Sequence, residues 1–207
     1  MTFILEKKLK VGIFIYENVE VLDFCGPFEV FSRTRLTPGL ESRQDSNSAP
    51  FEVCTISQDQ KLVLATGNLK VVPDYSFDNV PELDILLIPG GLGSRTLIND
   101  QSILQWIQEQ AKQVKFLLSV CTGALLLAKA GLLHKKKATT HWASLDLLQS
   151  LDPSIQLIRD QRFVDDGIIS SAGISAGIDM ASYVVEKLFG KEVAKETAHY
   201  MDYQGNI

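Results

Sequence analysis

The chain has 207 residues, 45% of them hydrophobic and 22% charged, an ordinary globular composition that excludes disorder over most of its length and supplies apolar material for one large core. The formal net charge is -5, and the one basic run, Lys135-Lys136-Lys137, is too short for a nucleic-acid footprint and reads as a solvated turn. Three cysteines, Cys25, Cys54 and Cys121, form no close pair and no metal-ligand spacing, so free thiols in a reducing compartment are expected.

At the N-terminus Phe3-Ile4-Leu5 is too short for the apolar region of a signal peptide, and no stretch reaches the length of a membrane-spanning helix. A cytoplasmic protein with one domain, 1-207, is the expectation. Lys10 to Tyr16 is a nearly unbroken apolar and β-branched run, the pattern of a strand buried on both faces of a parallel sheet. A helix is predicted over Gly26 to Arg35, with Phe28, Val30 and Phe31 on its buried side. Thr37 to Pro50 concentrates Pro, Gly, Ser, Asn and charge without periodicity and is expected to be a mobile loop. Phe51 to Ile56, Leu62 to Leu64 and Leu69 to Val72 read as shorter strands.

Asp84 to Ile88 and Lys115 to Val120 are further core strands, the first ending abruptly at Pro89-Gly90-Gly91 and the second at Cys121. Between them Asp100 to Lys112 is helical, with Asp100 as a cap for the orphan amides. Thr122 to Lys129 is an Ala/Leu-rich helix with Gly131 placed for a left-handed C-terminal residue. Gln156 to Ile158, Arg162 to Val164 and Ile168 to Ser170 are short strands, the last two joined by the turn Asp165-Asp166-Gly167. Ser175 to Phe189 is a long helix closed by Gly190. Strands alternating with helices predict an α/β fold: a doubly wound, mostly parallel sheet flanked by helices.

In such a sheet ligands bind beyond the carboxyl ends of the strands. Three segments lie there: the one around Asp23 after the first strand, Pro89-Gly90-Gly91-Leu92-Gly93, and Cys121-Thr122-Gly123. Cys121 occupies a tight strand-to-helix turn, where a helix N-terminus lowers a thiol pKa and a reactive thiolate results. A buried, inert cysteine is the other reading of the same position. Gly90 and Gly91, with the amide of Thr122, offer an oxyanion hole, or else a plain turn leading to the next helix. Asp23, set among Val21, Leu22 and Phe24, is either an acid/base group whose burial raises its pKa or an N-cap for the helix at Gly26.

Five segments stand in the order seen in the ThiJ/PfpI superfamily, which the chain resembles from Lys10 to about His199. They are Leu22-Asp23 with Gly26-Pro27-Phe28-Glu29-Val30-Phe31; Ile88-Pro89-Gly90-Gly91-Leu92-Gly93; Ser119-Val120-Cys121-Thr122-Gly123-Ala124; Ala138-Thr139-Thr140-His141-Trp142; and Ser171 to Asp179. The resemblance implies a flavodoxin-like, class I glutamine-amidotransferase-like fold with a nucleophile elbow at Cys121. Within the superfamily the details are most similar to the isocyanide hydratases. That similarity implies that Cys121 attacks the isocyanide carbon to give a thioimidate, that Asp23 handles protons and activates water, and that Thr122 helps hold the intermediate, without metal or organic cofactor. Thr122, standing where peptidase-like members carry a histidine, disfavours proteolysis.

His141 is a candidate at the site's edge, with a structural role as the alternative. Small residues around Gly173 and Ile174 suit close packing near the pocket, and Cys25 beside Asp23 reads as packing or as a second oxidisable thiol. The resemblance also implies a homodimer, with Phe28 to Phe31 as a contact. Competing functions are a stand-alone ligand- or redox-sensing domain related to the N-terminal half of AraC-type regulators, and a glyoxalase- or amidase-like activity on small carbonyl compounds. The chain ends at Ile207 without the length or basic surface of a DNA-reading domain, so no nucleic-acid partner is expected.

Overall fold

The structure, a computed structural model, describes residues 7–205; the apolar stretch Phe3-Ile4-Leu5 lies outside them. In chain order the first half holds β1 (Leu9–Phe14), α1 (Val21–Arg33), β2 (Phe51–Ser57), β3 (Val63–Leu64), β4 (Lys70–Val71), β5 (Tyr75–Ser76), β6 (Ile85–Ile88), α2 (Ser94–Leu97) and α3 (Gln101–Ala111). The second half holds β7 (Phe116–Val120), α4 (Gly123–Lys129), β8 (Lys137–Ala138), α5 (Leu145–Leu151), β9 (Gln156–Leu157), β10 (Phe163–Asp165), β11 (Ile169–Ser171), α6 (Ala176–Phe189) and α7 (Lys191–Tyr200). Among the described residues no helix is long and apolar enough to cross a membrane.

Seven strands form the main sheet in the order β10-β11-β7-β6-β1-β2-β5, parallel throughout except where β10 runs against β11. The doubly wound, mostly parallel sheet predicted from the sequence is the fold observed. Its middle is apolar on both faces because helices cover both: all four residues of β6 are buried, as are Val11, Ile13 and Phe14 of β1 and Leu117, Leu118 and Val120 of β7. The helices fall into two groups, α1 with α6 and α7, and α3 with α4 and α5. From β1 the chain steps to β2 and β5 on one side, then returns to β6 on the other side of β1 and continues outward to β7 and β11. That reversal between β1 and β6 is the topological switch point, where the loops at the carboxyl ends diverge and leave a crevice.

Asp100 caps α3 as predicted, accepting from the amides of Ser102 and Ile103. Gly167, at a φ of +81°, makes the turn between β10 and β11. β3 and β4 pair only with each other, and β9 pairs with β8, so neither short pair joins the main sheet.

The first helix departs from expectation. It begins at Val21, not Gly26, and carries Pro27 inside it. The proline lacks an N–H for the carbonyl four residues back, but α1 gains a close crossing there. A Cβ on Gly26 would lie 2.9 Å from Ile178 of α6, and one on Gly177 would lie 3.4 Å from Pro27. Asp23 therefore sits inside the first turn of α1 and is not an N-cap. Val30 and Phe31 are fully buried within the chain, which leaves the half-buried Phe28 and the exposed Glu29 as the part of Phe28 to Phe31 open to the expected subunit contact.

The segment 37–50 holds a 3-10 turn at Leu40–Arg43. The Arg35 guanidinium organises it from outside, donating to the carbonyls of Ser32, Thr34, Ser42 and Asp45. Arg43, buried, pairs with Glu196 of α7 at 3.5 Å.

Candidate active site

Cys121 lies between the last residue of β7 and the start of α4, with a φ of +54°. A residue with a Cβ is strained there, at a cost of about 1–2 kcal/mol, and the surroundings hold it from both sides. Its N–H donates to Ser171 O at 3.1 Å, and its carbonyl accepts from Thr140 Oγ1 at 2.6 Å. The side chain is buried. Gly173 lies against it: with a φ of +139°, it would bring a Cβ to 3.1 Å from Cys121 Cβ and 3.2 Å from His141 Cδ2. Gly173 and Ile174 also line a cavity of about 330 Å³ with Thr140, His141, Trp142 and Arg159.

Asp23 reaches the same point from α1 and is fully buried. Its Oδ2 accepts the Gly90 N–H at 2.9 Å. The Cys121 thiol lies beside the carboxyl, near enough to favour its ionised form, but no well-aligned hydrogen bond joins them. Asp23 Oδ1 is left buried without a partner among the described residues. Thr122 Oγ1 accepts from Gly91 N–H at 2.9 Å, lies 2.9 Å from Ser94 Oγ and 3.2 Å from Gly91 O, and so ties the glycine turn to the cysteine turn. A Cβ at Gly90 would stand 2.5 Å from the Thr122 amide nitrogen and 2.9 Å from Asp23 Oδ2, which is why the position needs glycine.

These bonds revise the sequence reading of the glycines. Both amides expected to face an oxyanion are already engaged, Gly90's with Asp23 and Gly91's with Thr122. The glycines build the site from behind. Of the three donors expected, the Thr122 amide is the one that acts on the thiol.

Electrostatics bring a second correction. The Cys121 thiol is pushed up from 9.0 to about 12, first by burial and then by the neighbouring Asp23 charge. The Thr122 amide and hydroxyl pull the other way and are outweighed. Burial and the Asp23 charge therefore work against the thiolate expected from the helix N-terminus, and removal from water is the largest of these effects. Asp23 is raised from 3.8 to about 7, by burial foremost and by the Glu20 charge, against the stabilising Gly90 amide and Cys121 thiol. A thiol and a carboxyl, both raised by burial, stand side by side, a pair able to pass one proton between them.

Three contributors went unread in the sequence. Tyr16 is buried just past the end of β1, and its hydroxyl donates to Pro89 O at 2.7 Å. Ser94 donates to Gly91 O at 2.7 Å. Thr140, from the Ala138-Thr139-Thr140-His141-Trp142 segment, holds the Cys121 carbonyl. His141 accepts from the Ala143 amide at 3.3 Å as the cap of a short 3-10 turn and lies at the Gly173 edge. Cys25 is half-buried, and its thiol is raised by burial. A larger cleft of about 450 Å³ opens beyond β1 and β2 and includes Tyr16 and Gly93 but neither Asp23 nor Cys121. Its ionisable pair, Lys61 with Asp59, is exposed, unlike the buried Asp23 and Cys121.

Isonitrile hydratase of Pseudomonas putida is 34% identical to this chain over 195 residues, 94% of this chain and 78% of that protein. The HTH-type transcriptional regulator GbdR of Pseudomonas aeruginosa is 29% identical over 94% of this chain, which spans half (50%) of the regulator. A solved ThiJ/PfpI family protein from Pseudomonas syringae superposes with a TM-score of 0.83 at 25% identity, covering 97% of this chain and 77% of that one. The DJ-1/PfpI family pattern matches residues 9–187, and the chain belongs to the DJ-1/PfpI family.

Proposed function

We propose that the chain is a cysteine-dependent hydratase of small isocyanides, with Cys121 as nucleophile and Asp23 as acid and base. The observation that carries this reading is the buried pair itself: Cys121 in its left-handed strand-to-helix turn with the Asp23 carboxyl beside the thiol, one carboxyl oxygen held by the Gly90 N–H and the other without a partner among the described residues. Addition to an isocyanide consumes both the sulfur and its proton. As the Cys121 Sγ–carbon bond forms, Asp23 accepts the thiol proton and returns it to the same carbon, giving a thioimidate, R–N=CH–S. Water then adds to that carbon, Asp23 taking one of its protons. The second water proton moves to nitrogen, the C–S bond breaks as Asp23 returns its proton to the departing sulfur, and an N-substituted formamide leaves. The sum is one isocyanide plus one water. The proton is the one the pair shares, whether it rests on the sulfur or on the carboxyl. The 34% identity to an isonitrile hydratase supports the substrate class.

Gly173 and Ile174 would flank the substrate, whose substituent extends into the cavity they share with Trp142. Thr122 would act on the sulfur through its amide and its hydroxyl, the hydroxyl also accepting the Gly91 N–H. No cofactor enters the scheme. The homodimer implied by the family resemblance would use surfaces other than Val30 and Phe31. The test is formamide production from a simple aryl or alkyl isocyanide by wild type, Cys121→Ala and Asp23→Asn. No turnover by wild type sinks the substrate; equal turnover by wild type and Cys121→Ala sinks the mechanism. The likeness to GbdR supports a second reading, a ligand-sensing domain. Saturable isocyanide or carbonyl-ligand binding without product would favour that reading over hydration.

A further inference from the structure

The peptide unit joining Pro89 to Gly90 is engaged at both ends. Its carbonyl accepts from the buried Tyr16 hydroxyl at 2.7 Å, and its N–H donates to Asp23 Oδ2 at 2.9 Å. A hydrogen bond to a peptide carbonyl draws electron density toward the oxygen and makes the N–H of that unit a stronger donor. The phenol and the carboxyl are thereby linked through one rigid plane.

We infer that Tyr16 is a positioning residue: acting through the Pro89–Gly90 peptide, its hydroxyl fixes Asp23 Oδ2 and leaves Oδ1 as the oxygen that exchanges the proton with Cys121. Oδ1 is buried and without a partner among the described residues. A buried acceptor without a partner is costly, and a group on which a proton arrives and departs is one that bears such a cost. If donors held both oxygens, the carboxyl would stay ionised; with one held and one free, it can alternate between acid and base. In the proton step the Cys121 S–H bond breaks as the O–H bond at Oδ1 forms, and the reverse occurs when the proton moves on.

Tyr16 is fitted to this place. It packs on Phe14 at a ring separation of 5.1 Å, and a Cβ on Gly93 would stand 2.9 Å from its ring. Its pKa is raised well above the usual value by burial and by the Asp23 and Cys121 charges, so the phenol remains a donor. The titratable groups bearing on Asp23 are Glu20 on the turn before α1, Cys121 and Tyr16 itself. The inference rests on Asp23 and Cys121 being the reacting pair, not on which electrophile they meet.

The experiment is a carbon-13 NMR titration of the Asp23 carboxyl in the full chain, with its signal assigned by loss in Asp23→Asn. Wild type is compared with Tyr16→Phe and with the chain carrying 3-fluorotyrosine at position 16. The Phe variant removes the donor, weakens the Gly90 N–H and is expected to move the Asp23 midpoint upward by about half a pH unit or more. The fluorinated phenol is a stronger donor and is expected to move it downward. A purely structural role would not give shifts of opposite sign. Midpoints unchanged in both, or moved in the same direction in both, overturn the inference. If Tyr16→Phe does not fold, the fluorotyrosine chain, which keeps ring and hydroxyl, decides alone, an unchanged midpoint being the refuting result. No substrate is present, so a failed hydratase assay leaves this outcome untouched.

Discussion

Replacing Asp23 by Asn is expected to make Cys121 more reactive toward an alkylating reagent while abolishing turnover. With its thiol at about 12, Cys121 carries about one part in ten thousand of thiolate at pH 8. Burial, the first cause of that rise, persists in the variant; the Asp23 charge, the second, does not. Loss of the charge is taken as about one pH unit, or about tenfold more thiolate. A more acidic thiol is also a weaker nucleophile, by about threefold for such a change, which leaves a net gain of about threefold. The gain must depend on pH, because Asp23 itself titrates at about 7. Below pH 6 the wild-type carboxyl is protonated, and the two chains should alkylate at similar rates. The assay is iodoacetamide labelling from pH 5.5 to 9, read by mass at the Cys121 peptide, with Cys25 and Cys54 as internal references. Formamide production should fall at least about a hundredfold, the usual scale of a lost acid/base group. A ratio constant across the range would show that the charge of Asp23 does not govern the thiol, and slower alkylation by the variant at pH 8 would show that Asp23 acts on it as a base more than as a repelling charge.

The same variant should change the pH dependence of stability. The Asp23 pKa is raised on folding from 3.8 to about 7, so its contribution is fully present below pH 4 and is lost as pH rises through 7. Asp23→Asn should flatten that part of the curve by at most about 4 kcal/mol, measured by urea unfolding at pH 4 and pH 8. Gly173→Ala forces a Cβ into a φ of +139° and against Cys121. It should lose about 1–3 kcal/mol in thermal or urea unfolding and lower turnover more than tenfold. Thr122→Val takes the acceptor from the Gly91 N–H and the partner from Ser94 Oγ. A loss of about 1–3 kcal/mol is expected, with lowered turnover; unchanged unfolding would show that this hydroxyl does not tie the two turns.

How far the sequence could be read depended on how local each cause was. β1, β6 and β7 were legible because strands buried on both faces leave unbroken apolar runs, and the cap at Asp100 because it acts two and three residues away. The start of α1 was not, since Gly26-Pro27 looks like a breaker until α6 is seen packing on it. β5 and β8, of two residues each, carry no periodicity. In the site, the ends of the central strands led to Asp23, Gly90 and Cys121, because parallel topology alone brings those ends together. Tyr16 passed as the last apolar residue of the first strand run, although its hydroxyl is the part that matters to Pro89. The balance of effects on the Cys121 thiol is hidden for a related reason. A helix N-terminus is visible in sequence, whereas the burial that outweighs it is set by packing from β11, the Thr140 segment and Gly173.

The conformation of Cys121 supplies a separate argument that the sulfur is what this position requires. A left-handed residue with a side chain costs about 1–2 kcal/mol, and glycine removes that strain while adding about 0.4–1 kcal/mol of freedom to the unfolded chain. Cys121→Ala and Cys121→Gly both delete the sulfur, so comparing them isolates the backbone. At an unstrained position the alanine chain would be the more stable; at φ +54° the glycine chain should match or exceed it by up to about 1.5 kcal/mol. Urea unfolding of the two variants measures the difference, and neither should be labelled at position 121 or make product. Glycine, the residue that fits this turn most easily, is then the one whose presence leaves no nucleophile. An alanine chain more stable than the glycine chain by about 1 kcal/mol or more would mean the turn carries no strain, and the backbone would no longer be a reason to read the thiol as functional.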